Sequence, residues 1–323
     1  MPTLHRRQAT LLLAALAFSA AATAQGRFPD RPITFVVPFA AGSATDQLAR
    51  ALGHSLTEQT RQQVLIENRA GASGMLAAQA AVRAPADGHT VLITTNTTHA
   101  ANEHLFRRLP YDPVRDFAPV TGLGKGGQVL VVRADAPFRT VADLVTRARQ
   151  QPGKLSFGSG SSSSRVAGEM LKQLAGIDVL HVPFLSNPLA LTDLIGGHID
   201  FMVTDTATGL PLVRAGQLRA LGVSTSRRIP LLPEVPTIDE AGVRGYDMGF
   251  WFAAYVPTGT PQPVVVRLNE LLHSAVRSAT ARSFFDTSGV EAWVSSPDEL
   301  ARFQVAETQK WGRVIRAAGI EPE

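Results

Sequence analysis

Apolar and polar positions along the chain fall into two alternating registers. Short β-rich runs recur: Ile33-Thr34-Phe35-Val36-Val37, Val64-Leu65-Ile66-Glu67-Asn68 and Val91-Leu92-Ile93-Thr94-Thr95. Runs of this length and composition, bounded by turn residues, predict strands. The stretches between them carry helical spacing, with Leu48, Leu52 and Leu56 on one face and a second helix over Gly71 to Ala84. Pro38 closes the first strand, and Phe39-Ala40-Ala41-Gly42 supplies a flexible turn. Ser43, with Asp46 three positions on, predicts a capping box at the helix start. Strand–helix–strand alternation of this kind predicts an α/β fold whose sheet is mostly parallel and flanked by helices.

A second α/β series begins further on. Thr140 and Asp143 predict a helix start, and the helix runs to Gln150. Leu155-Ser156-Phe157 reads as a strand, Val166, Met170 and Leu174 as a helix face, and Val179 to Pro183 as a strand. Asn187-Pro188 predicts an N-cap with proline at the first helical position, opening a helix that ends at Gly196-Gly197. Strands over Ile199 to Val203, Leu218 to Val223 and Phe252 to Val256 follow, then helices over Pro263 to Thr280 and Pro297 to Ala318. Gly122, Gly124 and Gly127 match the dinucleotide-binding glycine spacing, but the strand Gln128 to Arg133 follows where that site needs a helix N-terminus. The stretch therefore reads as an interlobe linker, and Arg227 to Gly249 as a second irregular crossing. The expected organisation is two lobes, 25–124 with 248–323 and 125–247, hinged at two crossings near 120–130 and 240–255.

Composition narrows the chemistry. The chain has 323 residues, 45% hydrophobic and 18% charged, which excludes a disordered protein. It has no cysteine, so disulfides, thiol nucleophiles and cysteine-ligated metal centres are excluded. The eight histidines show no His-x-x-x-His pair, and neither a metal nor another cofactor is expected. The first residues have the layout of an export signal: His5, Arg6 and Arg7, then an apolar run from Leu11 to Ala20, then Ala22-Thr23-Ala24. Residues 1–24 are accordingly expected to be a signal peptide cleaved near Ala24, the run being too short to span a bilayer. Losing Arg6 and Arg7 lowers the formal charge from +4 to +2, which does not describe a nucleic-acid binder.

Two strand-to-helix turns carry the candidate chemistry. One runs from Pro38 to Asp46 and the other from Gly158 to Arg165. Both lie at strand carboxyl ends, where open α/β sheets place ligands. Both combine small residues and hydroxyls with a helix N-terminus, which offers unsatisfied N–H donors and about half a positive charge to an anion. Asp46 would repel an anion, so its expected work is helix capping, with a ligand hydroxyl, amine or water as the alternative. Arg165 is a cation in the first turn of a helix, where it is disfavoured unless an anion compensates. It is expected either to grip a ligand carboxylate through its planar fork or to be a solvated surface arginine. A secreted serine hydrolase is the competing class, built from a serine of 159–164 with His181 and Asp205. The chain has no G-x-S-x-G elbow, and the order of those residues is not that of an α/β-hydrolase.

The sequence resembles the Bug-type solute receptors of tripartite tricarboxylate transporters. The resemblance runs from Phe28 to about Ile320 and rests on Pro29-Asp30-Arg31-Pro32-Ile33, Val36-Val37-Pro38-Phe39, Glu67 to Gly74 and Pro85 to Thr90. Further stretches are Asp116 to Val120, Pro152 to Leu155, His181 to Phe184, Pro233 to Thr237 with Glu240-Ala241-Gly242, and Pro257 to Pro261. It implies a two-lobe, type II-like periplasmic binding-protein fold that closes on a small organic carboxylate and hands it to membrane permease subunits. It further implies a protein without catalysis, metal or cofactor, expected as a monomer; a receptor serving a sensor kinase would share the same site. Carried over residue by residue, the first-lobe contacts are Phe39, Ala40, Gly42, Ser43, Asp46, Thr95 and Asn96. Those of the second lobe are Ser159, Gly160, Ser161, Ser162, Ser163, Phe184 and Asp205, to which the charge argument adds Arg165. The chain departs from the family pattern at Gly42-Ser43, where a glycine pair is usual, at Arg165, where a histidine is usual, and at Phe184-Leu185-Ser186, where an aromatic-Lys-Gly is usual.

Overall fold

A computed structural model describes residues 28–323; the expected signal peptide lies outside the described residues. The first series is β1 (Ile33–Val37), α1 (Ala44–Thr60), β2 (Val64–Asn68), α2 (Met75–Val82) and β3 (Thr90–Thr95). A π-helical segment, Thr97–Ala101, leads into the short α3 (Asn102–Leu105). The long β4 (Phe117–Arg133) then opens the second series: α4 (Val141–Gln150), β5 (Ser156–Ser159), α5 (Ser162–Ala175), β6 (Leu180–Pro183), α6 (Asn187–Ile195), β7 (Phe201–Asp205), α7 (Thr206–Arg214) and β8 (Leu218–Val223). The chain returns through β9 (Gly249–Pro257), α8 (Gln262–Val276), α9 (Ala279–Ser288), β10 (Val290–Ala292) and α10 (Pro297–Ala317).

Local chemistry accounts for most of these boundaries. Ser43 Oγ accepts the Asp46 amide at 3.3 Å and caps α1, whose Leu48, Leu52 and Leu56 are fully buried. Thr140 and Asp143 form the reciprocal capping box of α4. Two details differ from expectation. The Asp46 carboxylate reaches the Gly42 amide, one residue before the cap, so the box at α1 is not reciprocal. Asn187 is the first residue of α6 and Ser186 stands at the N-cap, which frees the Asn187 side chain for other work. The helix α9 and its cap Ser278 went unread because its burial is interrupted, with Ala281, Phe285 and Ser288 alone fully inside.

The strands follow one path, β2-β1-β3-β9-β4-β7-β5-β6, with β8 and β10 also paired to β4. The sheet is mixed. β1 pairs in parallel with β2 and β3, and β5 with β6 and β7. All ladders at the centre, on β9 and β4, are antiparallel. The two-lobe architecture arises because β4 serves both halves: Phe117 to Gly127 pair with β9, and Gln128 to Val132 pair with β7. At ~3.3 Å per residue it runs roughly 55 Å. The glycine-rich stretch is therefore inside a strand, which corrects the linker reading. Its glycines admit bulky neighbours: a Cβ on Gly122 would overlap the Trp293 ring. One core, with Phe35, Leu48 and Phe252, belongs to the first half, and a second, with Leu191, Met202 and Leu210, to the other. A third, holding Trp251, Trp311 and Phe157, runs beneath both. Among the described residues no helix is long and apolar enough to cross a membrane.

Gly122→Ala tests the packing reading. Forcing a methyl into a filled core should destabilise the fold by about 1–3 kcal/mol, seen as a lower denaturation midpoint. A flexible linker would accept the alanine without loss.

Candidate functional site: a cleft between the lobes

The carboxyl ends of the strands meet around a narrow, partly open cleft. The β1–α1 turn contributes Phe39, Ser43, Ala44 and Thr45; the end of β3 contributes Thr95, Asn96 and Thr97. From the opposite side come Gly160, Ser161 and Ser163 at the start of α5, Asn187 of α6 and Asp205 at the end of β7. Gln128 of β4 with Phe250 and Phe252 of β9 complete the walls. Helices α1, α5 and α7 all begin at this cleft, capped by Ser43, by Ser161 and by the Asp205 carboxylate respectively. Among the described lining residues none is Lys, Arg or His, and the described residues hold no cluster suited to a metal ion.

Direct hydrogen bonds join the two sides. Asn96 Nδ2 donates to Ser163 Oγ at 2.7 Å while its Oδ1 accepts the Trp251 amide at 3.3 Å. Ser162 Oγ donates to Asn102 Oδ1 at 2.8 Å. The second turn is held by a connected network. Ser161 and Ser164 form a capping box, and the Gly160 amide donates to Asn187 Oδ1 at 3.1 Å. Asn187 Nδ2 donates to Asp205 Oδ2 at 2.7 Å, and Thr208 donates to Asp205 Oδ1 through its amide and its hydroxyl, each at 2.9 Å. Gly160 lies so close to Ser186 and Asn187 that any Cβ would overlap their backbone. Burial pushes the Asp205 carboxyl above the usual carboxylate range, against the opposing bonds from Asn187 and Thr208.

Of the expected residues, Phe39, Ser43, Thr95, Asn96, Gly160, Ser161, Ser163 and Asp205 line this cleft. Ala40, Gly42 and Asp46 do not; they shape the turn behind it. The Asp46 carboxylate is filled by the Gly42 amide at 2.9 Å, Asn68 Nδ2 at 2.9 Å and Arg50 Nε at 3.0 Å. Burial opposes its charge, but these bonds together hold its pKa below the ordinary value. Ser159, Ser162, Arg165 and Phe184 line a neighbouring depression of about 650 Å³, beside His181 and Glu323. Arg165 does meet a carboxylate, but one of the chain itself: its Nη1 lies 2.7 Å from Glu323 Oε1. Glu323 is in turn bonded through its backbone to Leu105 and Arg107.

Ser159 Oγ lies 2.7 Å from His181 Nε2, a hydrogen-bonded Ser–His pair. Burial, with Arg165 nearby, pushes the His181 imidazole down to about 4, leaving a weak base. The Asp205 carboxylate that the hydrolase reading needs is bonded to Asn187 and Thr208 instead. No Ser-His-Asp relay is assembled from these residues. Sequence reasoning missed Ala44, Thr45, Thr97, Gln128, Asn187, Phe250 and Phe252 as cleft residues. The alternation of Phe250 and Phe252 was a readable period-two signal, and Gln128 was a polar residue opening an apolar strand.

A family model for the tripartite tricarboxylate transporter family receptor matches residues 48–320. The chain belongs to this receptor family. It is 38% identical over 315 residues to a UPF0065 protein in the tcbD–tcbE intergenic region of Pseudomonas sp. strain P51, covering 96% of this chain and 94% of that one. The R. palustris protein Rpa4515 with adipate superposes with a TM-score of 0.89 at 36% identity, over 92% of this chain and 100% of the other. MatC (Rpa3494) from Rhodopseudomonas palustris with bound malate superposes with a TM-score of 0.84 at 32% identity, over 89% and 100%. Receptors of this family share the two-lobe periplasmic binding-protein fold described above.

The Asp46 network generates a pH prediction for this receptor. Its folded pKa lies below the unfolded value of ~3.9, so its stabilisation is fully present above that pH and is lost as pH falls through the lower folded pKa. Asp46→Asn should cost about 1–3 kcal/mol at pH 7. In denaturant titrations the gap to wild type should close at the most acid pH. A gap of constant size would mean the carboxylate charge contributes nothing.

Proposed function

We propose that this receptor captures a small organic carboxylate between its lobes and delivers it to the permease subunits of a tripartite transporter. One observation carries the reading: three helix N-termini and the Asn96–Ser163 bond meet at one cleft that straddles β4. Convergent N–H groups and helix dipoles bind an anion without any cationic side chain. The adipate and malate in the two R. palustris relatives are carboxylates of the expected size. The contacts are the cleft-lining residues of both turns, with Ser159, Ser162, Arg165 and Phe184 at the neighbouring mouth. Lobe one comprises 25–124 and 248–323 and lobe two 125–247, hinged at the crossings near 120–130 and 240–255. The protein works without catalysis as an exported periplasmic monomer, its signal peptide removed near Ala24.

Mass spectrometry of small molecules released on denaturation should recover a carboxylate, and calorimetry should show it binding stoichiometrically. Recovery of a neutral solute that competes for the cleft overturns the reading. Saturating ligand should reduce the radius of gyration in small-angle scattering and change Trp251 fluorescence; an unchanged radius argues against hinged closure.

Asn96→Ala removes the cross-lobe bond. At ~1 kcal/mol for a neutral hydrogen bond, it should weaken ligand affinity by about fivefold, mainly by favouring the open form. Calorimetry on both proteins with the recovered ligand measures this directly.

A further inference from the structure

At the cleft the two lobes are joined by bonds between neutral side chains, Asn96 to Ser163 and Ser162 to Asn102. Among the ion pairs of the described residues, Arg165–Glu323 alone runs from one lobe to the other; the rest close within a single lobe. Each partner is fixed to its own side. Arg165 lies in the first turn of α5, two positions beyond Ser163 of the cleft wall, and its amide donates to the Ser161 carbonyl at 3.0 Å. Glu323 is tied to the first lobe by its backbone: its amide donates to the Leu105 carbonyl at 2.9 Å and its carbonyl accepts the Arg107 amide at 2.7 Å. The two side chains then reach across to meet at 2.7 Å, Nη1 to Oε1.

The Arg165 side chain is 19% exposed and its buried Nε has no partner, whereas the Glu323 side chain is 60% exposed. A guanidinium in the first turn of a helix faces the positive end of the dipole, which the Glu323 carboxylate offsets. The contact is electrostatic and open to solvent on one side, so dissolved salt weakens it. The depression around it is lined from both lobes, Gly71 to Ser73 facing Ser159 to Ser162 and Pro183 to Leu185. None of its lining residues belongs to the crossings near 120–130 and 240–255. Rotation about those crossings therefore separates the two side chains. We infer that Arg165–Glu323 is an interlobe latch, an ion pair that draws the unliganded receptor towards its closed form. A solute then meets a larger fraction of binding-competent receptor and binds with higher apparent affinity. The inference rests on the hinged closure proposed above and not on the identity of the solute.

The chain has no cysteine, so cysteines introduced at the exposed Leu76 of the first lobe and Leu189 of the second take spin labels alone. Pulsed electron resonance on the full receptor, dialysed free of small molecules, reads the open and closed populations as two interlobe distances. Glu323→Gln and Arg165→Met should each lower the closed-to-open ratio by about threefold. Raising NaCl from about 0.02 to about 0.5 M should do the same to the wild-type pair and move the two variants much less. The exchange of Arg165→Glu with Glu323→Arg should recover the wild-type ratio to within about twofold, which a merely structural loss at α5 would not allow. No recovery in the exchange overturns the latch. If Asn96→Ala moves the ratio while the latch variants and salt do not, the latch is overturned and hinged closure stands. If none of these changes the distances, both fall.

Discussion

A strand with hydrogen-bonded neighbours on both sides resists bending, and β4 has such neighbours on either side of the point where the lobes meet. Its first part is locked to β9 and its last part to β7 and β8. One set of partners gives way to the other between Gly127 and Gln128. Ser224 braces this joint, its Oγ accepting the Gln128 amide at 2.7 Å and donating to the Met248 carbonyl at 2.6 Å. Everything that distinguishes the cleft, from the opposed turns to the aromatic walls, is positioned relative to this joint.

The two turns solve one problem in different ways. Each must hold a helix N-terminus open towards the cleft while burying polar groups around it. The first does so with Asp46, whose carboxylate gathers Gly42, Asn68 and Arg50 behind the turn. The second places a neutral amide, Asn187, between the Gly160 amide and the Asp205 carboxylate. The Arg165–Glu323 pair sits beside the second turn, and its partner is anchored to Leu105 and Arg107 across the interface.

Much of this was legible in the residues. The alternation of strand and helix, the caps at Ser43 and Thr140 and the placing of both turns at strand ends follow from local chemistry that acts over a few positions. What was not legible depends on distant partners. The glycines at 122–127 read as a linker because only Trp293 and Phe250, far along the chain, show why no side chain fits there. Arg165 was expected to grip a ligand carboxylate or to be a solvated surface arginine, and its partner in the structure is Glu323, which no local pattern announces.

The absence of a cationic side chain from the described cleft lining has a consequence for divergence. An anion gripped by backbone amides is gripped by atoms that substitution cannot remove, since every residue but proline carries the same N–H. In the proposed binding mode the anchoring half of recognition is insulated from mutation, while the side chains of the cleft walls remain free to vary. A receptor built this way can exchange one solute for another through a few neutral replacements, without passing through a form that has lost its hold on the carboxylate.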